Sequence, residues 1–195
     1  HLIQEELSGG HSILVIGKPF TSKTSLLRAC ARHVSESLSR RVEVVDITGT
    51  FAGGLKMPHV VVGTARRLLL LSSEIQSHNV IREAIQGHAA ECVVIDNVHT
   101  DLEIAAVIDG CLQGIQMITG TYGSCLEDVM FSTKLNDLLF NKRGRSLCPV
   151  IVEMCKPGLC IVAKTSDLFA AKANRTKSVN VSVRHLLENG NVSTI

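Results

Sequence analysis

The stretch that decides the fold is Ser12–Thr24, which reads SILVIGKPFTSKT. Its first half is a short run of apolar, mostly β-branched residues, which is typical of a strand buried on both faces. Its second half runs from Gly17 to Thr24 and leads into an amphipathic pattern that predicts a helix over Lys23–Leu38. A strand, a glycine-containing turn and a helix in this order predict a phosphate-binding loop.

The loop departs at one position from the P-loop pattern G-x-x-x-x-G-K-[ST], because Ser22 stands where the second glycine is expected. The Lys23 ammonium is predicted to reach the phosphates and the Thr24 hydroxyl to hold Mg²⁺. If Ser22 needs a left-handed backbone, its side chain costs roughly 1–2 kcal/mol. The candidate nucleotide-binding residues are Gly17, Lys18, Pro19, Phe20, Thr21, Ser22, Lys23 and Thr24. We therefore expect ATP and Mg²⁺ to bind weakly or not at all.

A second chemical signal is the apolar run Cys92–Asp96, which ends in an aspartate. A strand of this kind, after a P-loop, predicts that Asp96 orders Mg²⁺ together with Thr24, directly or through water. Active ATPases of this general kind usually place a glutamate next, and here the next residue is Asn97. An amide cannot accept the proton of an attacking water, so the pattern predicts impaired hydrolysis.

Short β-branched runs alternate with amphipathic segments along the chain. We predict strands at Arg41–Ile47, Glu91–Asp96 and Ile115–Thr119, and helices at Glu74–His88, Asp101–Gln113 and Leu126–Asn141. Alternation at this spacing implies crossover units, and hence an α/β fold whose parallel sheet is covered by helices on both faces.

The pattern changes after Arg145. Two apolar runs, Cys148–Cys155 and Leu159–Thr165, are joined by Lys-Pro-Gly, which predicts a β-hairpin. We therefore divide the chain into a P-loop NTPase-like core at residues 1–145 and a C-terminal hairpin and tail at 146–195 that pack on the core.

Composition excludes several classes of protein. The 195 residues are 45% hydrophobic, which excludes a disordered chain, and the net charge of +2 argues against binding nucleic acid by bulk electrostatics. No apolar run approaches the roughly 18 residues of a membrane span. Seven cysteines without a CxxC spacing indicate reduced thiols in an intracellular protein.

The chain resembles the P-loop ATPase family of stage III sporulation protein AA and its cyanobacterial and plastid relatives, which is RecA-like and related to the secretion ATPases. The resemblance covers about residues 5–140. The stretches that carry it are Ser12–Gly17, Lys23–Arg28, Arg41–Asp46, Met57–His59, Gly63–Arg67, Val94–Asp96, Thr100–Glu103, Thr119–Gly123 and Leu135–Leu138.

The resemblance implies a RecA-like P-loop core, ATP with Mg²⁺, and ring-like oligomers in which a neighbouring subunit completes the site. Arg66 and Arg67 are candidates for a contact with a neighbour's nucleotide, and the alternative is a solvated pair that flanks a leucine run. Plastid (chloroplast) localisation follows from the family alone, with a mitochondrial or cytoplasmic location as alternatives. Nucleic acid is a possible partner through regions outside this chain.

Further departures from that family fall on its chemical groups. Thr50 stands in the place of an acidic residue, and Tyr122 in the place of a histidine that senses the γ-phosphate. With Ser22 and Asn97, these changes predict a pseudo-ATPase that acts as a structural or regulatory subunit of a larger assembly. The alternative is an active Mg-dependent ATPase of an oligomeric motor, in which Asp96, Glu103 or a partner's carboxylate replaces the missing glutamate.

Overall fold

The computed structural model of the chain describes residues 2–53, 60–70, 76–126, 132–139, 146–167, 182–186 and 192–193. The helices are α1 (Leu2–Ser8), α2 (Lys23–Arg32), α3 (Ser77–Gly87), α4 (Asp101–Leu112) and α5 (Thr133–Leu139). The strands are β1 (Ile13–Gly17), β2 (Val42–Asp46), β3 (Arg66–Leu69), β4 (Cys92–Ile95), β5 (Gln116–Tyr122), β6 (Val150–Lys156), β7 (Leu159–Lys164), β8 (Ser182–Leu186) and β9 (Val192–Ser193). A π-helical turn over His33–Ser37 continues α2, and a 3₁₀ turn covers Val60–Val62.

The described strands form a single sheet in the order β3-β2-β4-β5-β1-β6-β7-β8-β9. Strands β3 to β6 in that order are parallel, and the last three strands continue the sheet as antiparallel neighbours. This arrangement confirms the predicted α/β class with a parallel P-loop NTPase-like sheet.

Successive residues of each buried strand point to opposite faces of the sheet, so both faces carry apolar side chains. Helices cover both faces. In β1, Ile13 and Val15 join the core beneath α1 and α2, whereas Leu14 and Ile16 join the core beneath α3, α4 and α5. Both cores consist mainly of aliphatic side chains. The near-continuous Val and Ile runs that predicted buried strands therefore supply two cores at once.

The predicted elements agree with the observed ones to within a few residues where both are described. Strand β5 is longer than predicted and extends to Tyr122, which brings that residue to the edge of the site. Helix α1 was not predicted, and Arg40 donates from its guanidinium to the Leu7 and Ser8 carbonyls at the end of that helix. Parts of two predicted helices, residues 74–75 and 127–131 with 140–141, lie outside the described residues, as does the Met57–His59 stretch.

The predicted hairpin is present as β6 and β7, and it belongs to the central sheet. Strand β6 pairs in parallel with β1, from Ile13 opposite Val150 to Gly17 opposite Met154. The turn contains Gly158, whose φ of +81° is a conformation that glycine adopts without strain. Division of the chain at residue 145 stays a prediction, and the described hairpin continues the sheet of the preceding residues.

Candidate nucleotide-binding site

The candidate site lies where the parallel strands end. Gly17 ends β1, Asp96 directly follows β4, and Tyr122 ends β5 between them in the sheet. The carboxyl ends of parallel strands form the edge at which α/β proteins usually bind ligands. The fold therefore brings the P-loop, Asp96 and Tyr122 to one place.

The P-loop has two residues with left-handed backbones that are not glycine. Phe20 has φ +66° and Ser22 has φ +69°, and α2 begins directly after Ser22. Backbone N–H groups in such a turn, at the start of a helix, form a concave site for anions. Ser22 therefore has the left-handed backbone that the glycine of the P-loop pattern suggested for this position.

Gly17 is required by close packing. A Cβ at this position would lie 2.8 Å from the Met154 carbonyl oxygen and 2.7 Å from Thr21 Oγ1. The Thr21 hydroxyl in turn donates to the Lys18 carbonyl at 2.8 Å, which closes the turn. The remaining loop residues, Lys18, Pro19 and Phe20, are exposed, and the Phe20 side chain is 97% accessible.

Lys23 is buried at the centre of the loop. Its Nζ donates to the Gly17 carbonyl at 2.7 Å and to the Lys18 carbonyl at 2.9 Å, and it lies 4.4 Å from the centroid of the Tyr122 ring. Burial lowers the pKa of Lys23, and the Asp96 carboxylate opposes this effect in part. The ammonium is thus held toward the loop by groups of this chain.

Thr24 and Asp96 form the pair that the sequence predicts for Mg²⁺. The Thr24 hydroxyl donates to Asp96 Oδ2 at 2.6 Å, although the two residues are 72 positions apart. A hydroxyl and a carboxylate are oxygen donors of the kind that Mg²⁺ prefers. The observed distance shows that both donors reach one point beside the loop, so this donor set fits the ion.

Asn97 continues the chain from Asp96 with a left-handed backbone at φ +69°, a conformation that asparagine tolerates better than most residues. Its Oδ1 is buried and has no hydrogen-bond partner within the described part of the chain. The next residues are attached to β5, because Val98 N donates to Gly120 O at 2.8 Å and Thr121 Oγ1 donates to Val98 O at 2.7 Å.

The Glu103 carboxylate forms hydrogen bonds that cap the start of α4. It accepts hydrogen bonds from the backbone N–H groups of His99 and Thr100, at 3.0 and 2.9 Å, and from the Ser77 hydroxyl. Burial raises the pKa of Glu103, but these hydrogen bonds together outweigh burial and leave it below the ordinary value. The interpretation of Glu103 as a replacement catalytic base is therefore wrong for this conformation, because its oxygens cap a helix.

Thr50 lies in the exposed turn after β2, and its role there is local. Its hydroxyl lies 2.7 Å from that of Thr48, and its carbonyl accepts a hydrogen bond from Arg28 of α2 at 2.7 Å. The buried Asp46 holds the same turn by accepting from the N–H groups of Phe51 and Ala52.

Tyr122 is the last residue of β5, and its half-exposed ring faces Lys23. Next to it is a cavity of about 410 Å³, lined by Lys18, Pro19, Tyr122, Gly123, Ser124, Ser132 and Leu135. This volume lies within the range of small-molecule sites. The cavity opens beside the P-loop residues Lys18 and Pro19.

Arg66 and Arg67 lie at the amino end of β3, on the edge strand of the sheet. Arg66 Nη2 lies 2.5 Å from the buried Glu43 carboxylate and donates to the His88 carbonyl at 2.8 Å. Arg67 Nη1 donates to the Gly53 carbonyl at 2.7 Å. Both side chains thus have partners in this chain, and a contact with a neighbour's nucleotide stays a prediction.

Sequence reasoning missed two features of the site. Residues Thr100–Glu103 carry the Thr-x-x-Glu signature of a capping box, which could have identified the role of Glu103 in advance. The contact between Tyr122 and Lys23 has no local signal, because it depends on the register that places Tyr122 opposite Gly17.

No family model matches the chain. Three relatives do. The chain is 34% identical over 138 residues to the uncharacterized protein ycf45 of Porphyra purpurea, and 33% identical over 138 residues to protein SEEDLING PLASTID DEVELOPMENT 1 of Arabidopsis thaliana. These alignments cover 71% of this chain, and 24% and 20% of the two relatives. An uncharacterized ycf45 protein of Cyanidium caldarium is 34% identical over 125 residues, which are 64% of this chain and 37% of the relative. The chain thus spans between a fifth and two fifths of the length of these relatives.

Solved structures with a similar fold include two ATPases. The VirB11 ATPase of the Brucella suis type IV secretion system, in complex with sulphate, superposes with a TM-score of 0.56 over 77% of this chain and 45% of its own. The Legionella pneumophila ATPase DotB superposes with a TM-score of 0.60 over 90% of this chain and 51% of its own. Each is 12% identical to this chain, so the likeness concerns the fold.

The comparisons confirm two parts of the resemblance, namely the plastid-related proteins and the fold of secretion ATPases. Membership of the stage III sporulation protein AA family itself stays a prediction. Within the part of the chain that the structure describes, no helix is long and apolar enough to cross a membrane.

Proposed function

We propose that this chain is a nucleotide-binding P-loop domain that hydrolyses ATP very slowly or not at all. In this proposal it acts as a structural or regulatory component of a larger assembly. The observation that supports it best is an unequal loss of site residues. The groups that would bind phosphate and Mg²⁺ are present, whereas the groups that would activate water are replaced or form other hydrogen bonds.

The binding half of the site fits a magnesium nucleotide. The left-handed turn precedes the backbone N–H groups at the start of α2, which can bind phosphate. Lys23 supplies a cation, and Thr24 and Asp96 supply oxygen donors for Mg²⁺. Bound Mg²⁺ would neutralise phosphate charge. A cavity of about 410 Å³ lies beside Lys18, Pro19 and Tyr122, and its volume is in the range of small-molecule sites.

The catalytic half is incomplete. Asn97 follows Asp96 and carries an amide, and the Glu103 carboxylate accepts hydrogen bonds from backbone N–H groups at the start of α4. A lost general base typically removes about 10²- to 10⁴-fold in rate, and a lost electrostatic donor another 10²- to 10³-fold. These effects are not additive, but together they predict turnover far below that of an active motor.

The relatives favour a plastid setting for this function. One of them is a plastid development protein of Arabidopsis thaliana, and the chain corresponds to about a fifth of its length. We infer that this chain is one domain of a plastid protein that works with protein partners or with further copies of itself. In such an assembly, Arg66 or Arg67 would contact a neighbouring subunit.

The decisive experiment is thermal unfolding of the purified chain with and without MgADP and MgATP. Binding to the folded state alone raises its stability by about 2.7 kcal/mol at a hundredfold excess over Kd. We expect an increase that Lys23→Ala abolishes and that Lys156→Ala preserves. Lys156 is the matched control, since it is an exposed lysine in the hairpin. No increase with either nucleotide at millimolar concentration would refute nucleotide binding.

The second candidate function is an active Mg-dependent ATPase. The intact Thr24–Asp96 contact favours it, because the ion-binding donors have been retained together. A partner subunit would then supply the missing carboxylate. Phosphate release should be measured across a range of protein concentrations, so that oligomers are included. Multiple turnovers that disappear in Lys23→Ala would favour this function over the proposal.

A further inference from the structure

Tyr122 lies beside the lysine of the P-loop. It ends β5 directly opposite Gly17 of β1, and its side chain is 53% exposed. The ring centroid lies 4.4 Å from Lys23 Nζ, which is within the range of a cation–π contact. The ring therefore lies on the ammonium that P-loops use for their outer phosphates.

The donors of Lys23 are satisfied within this chain. Two of them go to the carbonyls of Gly17 and Lys18, and the Tyr122 ring covers a further side of the ammonium. A phosphate that approaches the loop N–H groups does not need to displace the ring. A phosphate that lies further from the loop N–H groups and contacts Lys23 competes with the Tyr122 ring for the ammonium.

The position of Tyr122 is fixed by its neighbours. The preceding Thr121 is tied to the Val98 carbonyl, and a Cβ at Gly120 would lie 3.0 Å from Asp96 Oδ1 and 2.8 Å from Leu27 Cδ1. The end of β5 is therefore packed between α2 and the segment after β4. Only the Tyr122 side chain, and not the strand, can move aside to admit a larger ligand.

We propose that Tyr122 is a specificity-determining residue, which makes the site accept a diphosphate group in preference to a triphosphate group. This inference rests on the proposed nucleotide-binding function. The triphosphate carries more charge and would otherwise bind more tightly to a site with Lys23 and Mg²⁺. The ring reverses that order because the third phosphate must break the contact with Lys23.

The chain offers a direct probe of this contact. Tyr122 is its single tyrosine and it has no tryptophan, so tyrosine emission reports on this ring alone. Inorganic pyrophosphate and tripolyphosphate do not absorb in the near ultraviolet and test the phosphate groups without a nucleobase. Each should be titrated with Mg²⁺, and affinity should be measured by calorimetry in parallel with emission.

We expect the unchanged chain to bind pyrophosphate more tightly than tripolyphosphate, and tripolyphosphate to alter the emission more. Tyr122→Ala should raise the affinity for tripolyphosphate about tenfold, the size of a partly desolvated cation–π contact, and change that for pyrophosphate by less than about threefold. Tyr122→Phe retains the ring and should keep the original preference in calorimetry. Tyr122→Ser is a second small variant in case the alanine variant does not fold.

The possible results separate the two proposals. The inference is overturned if the unchanged chain prefers tripolyphosphate, or if the ratio of the two affinities is the same with and without the ring. Binding of both ligands only after removal of the ring also overturns it, since the ring would then exclude phosphate altogether. Absence of binding by the chain and its variants, to these ligands and to MgADP, would refute the proposed function itself.

Discussion

Replacement of Ser22 by glycine tests whether the P-loop is already in its binding conformation. Ser22 has φ +69° and ψ 26°, and its side chain makes no hydrogen bond to the start of α2. A left-handed backbone costs roughly 1–2 kcal/mol for a residue with a Cβ, and glycine avoids this cost. Glycine also loses about 0.5–1 kcal/mol more conformational entropy on folding. The expected net gain in the free energy of unfolding is about 0.5–1 kcal/mol.

The same reasoning predicts little change in nucleotide affinity. The strain at Ser22 is present in the chain without ligand, so it is equal before and after binding and cancels from the binding free energy. Ser22→Gly should therefore raise stability by the stated amount and alter the Kd for MgADP by less than about threefold. Urea unfolding measures the first quantity, and calorimetry measures the second.

Two controls make the comparison specific. Ser22→Ala keeps the Cβ and removes a hydroxyl that forms no cap, so its stability should match that of the unchanged chain. Ala89→Gly relieves a left-handed backbone of φ +50° at an exposed position beyond α3, and should give a similar gain in stability. An affinity increase of more than about tenfold in Ser22→Gly would refute the reasoning, because it would show that the Cβ obstructs phosphate or that the loop rearranges on binding.

Substitutions at four other residues have defined outcomes. Thr24→Ala and Asp96→Asn should each abolish the difference between MgADP affinity and ADP affinity in a chelator, as measured by calorimetry. Glu103→Gln should lower the free energy of unfolding by about 1–3 kcal/mol at neutral pH, because a charged acceptor is lost from buried donors. The folded-state pKa of Glu103 is lowered, so its contribution is present at neutral pH and is lost as pH falls from the ordinary 4.5 through the folded value. Acid unfolding of Glu103→Gln should accordingly depend less on pH in that range. Arg66→Ala should cost about 1–3 kcal/mol in urea unfolding because Glu43 remains buried, and Arg66→Lys should cost less.

The sequence was most informative where structure depends on neighbours along the chain. Apolar periodicity placed β1, β4 and α2 to within a few residues, and the P-loop pattern led to the contact between Thr24 and Asp96. Helix α1 was missed because it is short and its end is completed by Arg40, a residue far along the chain.

Features that depend on register between distant strands could not be predicted. The Tyr122 contact with Lys23 requires β5 to lie beside β1 and to end opposite Gly17, and no local pattern encodes that. Glu103 shows the reverse case. Its capping signature was present in the sequence, but its position after Asp96 suggested chemistry rather than the start of a helix.

Retention of Lys23, Thr24 and Asp96 does not by itself establish that nucleotide binds. Lys23 holds the loop closed through two carbonyls, and the Thr24–Asp96 contact attaches α2 to the end of β4, so each residue also stabilises the fold without ligand. The backbone gives a second argument. Single left-handed residues such as Ser39 and Ala89 also occur in other turns of this chain, whereas Phe20 and Ser22 place two of them within one three-residue stretch of the loop. The two strained residues precede the N–H groups at the start of α2, which is where a phosphate would be held. The strained backbone of the loop therefore supports the proposed phosphate binding independently of the side chains of the motif.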